Sequence, residues 1–167
     1  MAASAGPASG RIVMELKKIA SFQVDHTKLK RGMYASRIDG DVVTWDIRMK
    51  LPNAEPVISN AAIHSIEHLV ATFLRSSDLA DGVLYFGPMG CRTGFYLLTR
   101  GISDADAIAL VRGAFEFLAK YDGPLPGASE VECGNWREHD LAAARAEAAR
   151  YAPVLTGYTE AMLSYDR

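Results

Sequence analysis

The chain has 167 residues, 49% of them apolar and 23% charged, with a net charge of −2. That length and composition describe a soluble globular protein, most simply one domain, able to bury about two-thirds of its unfolded surface. The charge argues against nucleic acid as a partner, and no apolar run approaches the roughly 20 residues of a membrane span.

The first ten residues, MAASAGPASG, are small and polar and lack the apolar core of a signal peptide. Residues 1–12 are therefore expected to be a flexible tail ahead of a single domain over 13–167, in a cytoplasmic setting. There Cys91 and Cys133 are expected as two reduced thiols rather than a disulfide. Residues 11–20 mix charged and apolar side chains and lead into Ser21-Phe22-Gln23-Val24-Asp25-His26. Residues 32–38 read as a strand, Asp39-Gly40-Asp41 as a turn, and Val42 to Met49 as the returning strand, rich in β-branched and aromatic residues. Leu51 to Pro56 is a loop, with Ser59 or Asn60 placed to cap a helix running to about Arg75. At about 100° per residue, Ile63, Ile66, Val70, Phe73 and Leu74 share one arc that should face the core. His64 and His68 share a neighbouring arc, with Glu67 between them and the core. Ser76 to Gly82 is a short loop. Val83 to Phe86 and Thr93 to Arg100 read as strands around the tight, glycine-rich turn that carries Cys91. Ser103 caps the next helix, whose apolar stripe is Ile108, Val111, Phe115 and Leu118. Tyr121 to Ser129 is a Pro/Gly-rich loop, a candidate cover. Glu132-Cys133-Gly134 precedes a last, alanine-rich helix from about Asp140.

Two histidines at i and i+4 on a helix lie one turn apart on the same face, close enough for both imidazoles to reach one metal ion. Glu67, next to His68, is a carboxylate that can move protons beside that metal, provided that partial burial raises its pKa. The plainer reading pairs it with Arg48 or Arg75. Catalytic metals commonly take three protein ligands, and the third here can be Cys133, Cys91 or a residue elsewhere. The plain fate of either cysteine is a small core hydrophobe. Imidazole and thiolate donors suit zinc or ferrous iron rather than magnesium or calcium. The residues alone do not determine a reaction.

The chain resembles the S-ribosylhomocysteine lyase, or LuxS, family. The resemblance is carried by Ser21-Phe22 with Asp25-His26, Asp46-Ile47-Arg48, His64-Ser65-Ile66-Glu67-His68-Leu69, Pro88-Met89-Gly90-Cys91-Arg92-Thr93-Gly94, and Glu132-Cys133-Gly134 followed by His139-Asp140-Leu141. It covers roughly residues 15 to 150. It implies an α+β fold, an antiparallel sheet packed against helices, forming a homodimer whose two subunits both line each site. It implies His64, His68 and Cys133 as ligands of one ferrous ion per subunit, with zinc or cobalt as substitutes. Cys91 and Glu67 are implied as the acid/base pair. Ser21, His26 and Arg48 match positions lining the sugar end of the site, and Arg75 a position that holds the substrate carboxylate. The implied substrate is S-ribosylhomocysteine; the implied products are homocysteine and dihydroxypentanedione, the precursor of a quorum-sensing autoinducer. One departure stands out. Family members typically carry Asp-Xaa-Ser-Pro-Met-Gly-Cys, whereas this chain has Tyr85-Phe86-Gly87-Pro88-Met89-Gly90-Cys91, which should weaken recognition of the substrate's ammonium group. Two other functions compete: an inverted-motif zinc peptidase, because His-x-x-Glu-His is also that motif, and a non-catalytic metal-binding paralogue.

Overall fold

A computed structural model describes residues 14–165. The tail expected over residues 1–12 lies outside them. Four strands form one sheet: β1 (Gly32–Asp39), β2 (Val42–Arg48), β3 (Val83–Pro88) and β4 (Gly94–Arg100). Their order is β1-β2-β4-β3 and every neighbouring pair is antiparallel. Three helices pack with this sheet: α1 (Asn60–Arg75), α2 (Asp104–Lys120) and α3 (Leu141–Tyr151). The fold is α+β, as expected. Among the described residues no helix is long and apolar enough to cross a membrane, and both cysteines are free thiols.

The elements follow from local chemistry. Gly40 turns the β1–β2 hairpin with a positive φ of 63°, which a residue without Cβ adopts cheaply. Ser59, Ser103 and Asp140 each accept a hydrogen bond from an amide of the first turn, capping α1, α2 and α3. Side chains alternate across the strands. Trp45 and Ile47 of β2, Phe95 and Leu97 of β4 and Phe86 of β3 point inward, where they form a core with Ile66, Val70 and Leu74 of α1 and Phe115 and Leu118 of α2. Phe73, expected on the core arc, is only half-buried and packs its ring on Phe117 at 5.2 Å. Leu69, Ala62 and Ser65 are buried in its place.

The helices cover one face of the sheet only. On the other face, Asp46 and Arg48 alternate with the inward Trp45 and Ile47, yet they are 2% and 3% exposed. The segment around the short 3-10 turn Ala20–Phe22 and the C-terminal residues lie over them. Two further 3-10 turns, Ala152–Leu155 and Glu160–Met162, carry the chain from α3 back to β1. There the amide of Ala35 donates to the carbonyl of Leu163 at 2.9 Å.

Candidate active site

Two clusters of reactive side chains emerge from this framework. The first sits where α1 meets the loops before and after Cys133. One ligand atom each from His64, His68, Cys133 and His139 lies within 4.8 Å of all the others. Ligands about 2.0–2.3 Å from a shared ion in a tetrahedron stand roughly 3.3–3.8 Å apart. The 3.4 Å between Cys133 Sγ and His64 Nε2 falls within that range.

The histidines are held with their Nε2 atoms turned toward the cluster. His64 Nδ1 lies 2.9 Å from the carbonyl of Glu138, and His68 Nδ1 lies 2.9 Å from the carbonyl of Pro126. A carbonyl only accepts, so each Nδ1 carries the proton and each Nε2 presents a lone pair. Such outer hydrogen bonds orient metal-ligating imidazoles. The Pro126 contact depends on Gly127. Its φ is 69°, and a Cβ there would come within 3.0 Å of His68 Nδ1. His139 stacks on His64 with ring centroids 3.9 Å apart. Ser65 Oγ donates to the carbonyl of Ala61 and accepts from the amide of Asp140. Its remaining lone pair takes the proton of His139 Nδ1 at 3.3 Å. His139 Nε2 is thereby left buried and without a partner among the described residues. An unpaired lone pair is costly in a buried place, and a cation would satisfy it. The donor set fits a soft or borderline metal.

Glu67 immediately precedes His68 on the helix and places Oε2 3.7 Å from His68 Nε2. The plainer pairing with Arg48 or Arg75 does not form. Arg48 is engaged by Asp46, and Arg75 is exposed at the far end of α1 without an ion pair among the described residues. Seven residues separate Arg75 from His68, about 10 Å along the helix axis.

The second cluster surrounds Cys91. Met89 to Gly94 form a tight turn in which Arg92 adopts a positive φ of 57°, an uncommon conformation for a residue with a side chain. Gly94 lets the start of β4 press onto β2, since a Cβ there would meet the Ile47 carbonyl at 2.0 Å. The Thr93 carbonyl accepts from the amides of both Met49 and Lys50. These contacts bring Cys91 to the end of β2. Arg48 spans the gap: its Nε and Nη2 donate to the two carboxylate oxygens of Asp46 at 3.1 and 2.6 Å, and its Nη1 donates to Thr93 Oγ1 and lies 4.0 Å from Cys91 Sγ. Cys91 Sγ is 3.0 Å from Thr93 Oγ1. Burial pushes the Cys91 thiol up, but hydrogen bonds from the hydroxyl and amide of Thr93 and the charge of Arg48 outweigh it and hold it below its ordinary value of 9.0.

A cavity of about 310 Å³ opens beside this thiol. Ser21, His26 and Arg48 line it together with Cys91, Tyr96 and Tyr165. His26 is fixed by Nδ1, 2.9 Å from the Val24 carbonyl. Four of the residues singled out in the sequence thus share one cavity, and Cys133 joins the histidines of α1 while Cys91 does not. Arg75 lines neither cluster. The Cys91 turn is tied to the start of α1 by Arg92, whose guanidinium donates to Asn60 Oδ1.

Comparisons with known proteins decide the family. The profile of the S-ribosylhomocysteinase (LuxS) family matches residues 19–160. The chain belongs to the LuxS family. An S-ribosylhomocysteine lyase of Borreliella afzelii is 49% identical over 156 residues, covering 90% of this chain and 99% of that protein. One from Desulfotalea psychrophila is 51% identical over 157 residues with the same coverage. A third, from Clostridium acetobutylicum, is 46% identical over 156 residues.

Within this LuxS chain Asp46, Thr93 and His139 lie at the clusters, although in the sequence they stand only inside family motifs, with no role of their own. Asp46-x-Arg48 and Cys91-x-Thr93 did carry a signal, because residues two apart on an extended chain face the same side. His139 carried little: the segment from Cys133 to His139 is neither helix nor strand, so no period relates the two. The Tyr85 and Gly87 departures prove to be one feature. Tyr85 folds back so that a Cβ on residue 87 would lie 2.0 Å from its hydroxyl. Glycine at 87 makes room for tyrosine at 85.

Proposed function

We propose that this chain is a metal-dependent carbon–sulfur lyase. It cleaves S-ribosylhomocysteine to homocysteine and 4,5-dihydroxy-2,3-pentanedione, the autoinducer precursor. The observation that carries this reading is the pairing of a His/His/Cys/His cluster with a separate, activated thiol in a polar cavity, in a chain of the LuxS family.

The chemistry asks for both parts. A thioether sulfur leaves readily only when a carbonyl stands next to the carbon that loses a proton. The ribose carbonyl begins too far away and must migrate along the sugar, one proton transfer at a time. Cys91 and Glu67 serve as the two proton carriers. Cys91 suits the task because Thr93 and Arg48 stabilise its thiolate. Ser21 and His26 hold sugar hydroxyls, with His26 offering the ring nitrogen left free by Val24. Arg75 takes the substrate carboxylate. His64, His68 and Cys133 hold the metal, a ferrous ion for which zinc or cobalt can substitute, one per subunit. When bound, it supplies a Lewis acid beside the sugar oxygens. The setting is cytoplasmic.

The active form is a homodimer, with both subunits lining each site. Support comes from the apolar side chains exposed along residues 14–22 and at Tyr85 of β3. Met14, Leu16, Ile19, Phe22 and Tyr85 are 75%, 84%, 54%, 66% and 51% exposed. Ile19 and Tyr85 also line a cavity with Thr44, Tyr96 and Leu98 of the sheet. Exposed apolar rows of this kind mark interaction surfaces. The test is release of a free thiol from S-ribosylhomocysteine, under anaerobic conditions with added ferrous or cobalt ion. Homocysteine should appear well above a Cys91→Ala control. No release, or peptide cleavage instead, would overturn the reading.

A further inference from the structure

The C-terminal segment reaches the Cys91 cavity by a route of its own. Leu163 is buried and accepts from the Ala35 amide. Tyr165 then stacks on Tyr34 of β1, with ring centroids 4.8 Å apart and planes 18° from parallel. Its hydroxyl donates to Asp46 Oδ2 at 2.9 Å. Asp46 in turn grips Arg48 with both oxygens, and Arg48 faces the Cys91 sulfur. The sequence offers no reason to connect residue 165 with residue 91; the fold connects them through two buried charges.

We propose that Tyr165 is a positioning residue for the Cys91 thiolate, acting through Asp46 and Arg48. The inference rests on the reading of Cys91 as a proton carrier. Asp46 has two effects on that thiol. It aims the guanidinium, and its negative charge cancels part of the guanidinium's field at the sulfur. A phenol proton on Oδ2 draws on the carboxylate charge and fixes the carboxylate plane. Arg48 is then both better aimed and less cancelled. Burial, and next the charge of Asp46, push the Tyr165 phenol far above its ordinary value, so it remains a donor throughout the working pH range. The other polar side chains lining the Cys91 cavity are Ser21, His26, Tyr96 and Ser36, and Ser36 is hydrogen-bonded to the phenol. None of them replaces the donor to Asp46.

Tyr165→Phe keeps the ring and its stack on Tyr34 and removes only the hydroxyl. In the metal-loaded enzyme, the pH midpoint for alkylation of Cys91 by iodoacetamide is read from the mass of the Cys91-containing peptide. Cys133 is followed separately in the same digest. In the variant the Cys91 midpoint should rise by about half a unit, with alkylation at neutral pH about threefold slower. Metal content and circular dichroism should match the parent. Tyr165→Ala, which also loses the stack, should raise the midpoint at least as far. A Tyr165→Phe midpoint equal to the parent's would overturn the proposal. This readout does not depend on turnover, so it separates failure of the Tyr165 role from failure of the lyase reading, which homocysteine release by the parent decides.

Discussion

Cys91 is governed by a hydroxyl 3.0 Å away and a guanidinium 4.0 Å away. The two act in the same direction, and Thr93 is the larger influence. Alkylation needs the thiolate, so its rate rises with pH. Because the thiol is held below 9.0, half-maximal alkylation should fall below pH 9. Thr93→Val removes the hydroxyl and leaves Arg48 held by Asp46, and its midpoint should move back up toward 9.0; an unmoved midpoint would show that the Thr93 amide and Arg48 set the thiol without the hydroxyl. At this scale the sequence was legible where spacing carries meaning. His64 and His68 are one helical turn apart, and Asp46 and Arg48 share a strand face. His139 was not legible, because its place in the cluster depends on how the loop from Cys133 to Asp140 folds back onto Ser65.

The elements themselves follow from their caps and turns. Ser59, Ser103 and Asp140 mark the helix starts where the sequence placed them, and the β1–β2 hairpin turns at Gly40. The 3-10 turns after α3 have no such marks. Tertiary partners fix them: the Tyr158 hydroxyl donates to the Met33 carbonyl at 2.6 Å and accepts from its amide at 2.9 Å. Ser65 plays the corresponding part between α1 and α3. Its hydroxyl joins Ala61, Asp140 and His139. Ser65→Ala should therefore loosen the start of α3 and weaken metal affinity about 10- to 100-fold, the range for lost outer-sphere contacts, measured by competition with a chelator. On β3, Gly87→Ser should swing Tyr85 outward rather than unfold the sheet, because the nearest atoms belong to the far end of that side chain. The expected change in stability is small, below about 1 kcal/mol by chemical denaturation.

Over the whole molecule, the sheet is covered by helices on one face and by short segments on the other. That asymmetry was only partly legible. The hydrophobic pattern identifies the inward face of each strand, but residues 11–20 mix charged and apolar side chains without a period, and nothing in that pattern marks Met14, Leu16, Ile19 and Phe22 as exposed. A second copy of the chain is the proposed cover. Sedimentation at micromolar concentration should give a dimer. A double change, Leu16→Glu with Phe22→Glu, should shift it toward monomer and lower turnover together; a monomeric parent with full activity would contradict the shared site.

The division of labour between the two thiols is the centre of the account, and one paired measurement tests it. Metal content and turnover are determined side by side for Cys91→Ala and Cys133→Ala. Cys91→Ala should keep its metal and lose turnover by at least about a hundredfold. Cys133→Ala should lose the metal itself. Equal metal content in the two variants would contradict the assignment.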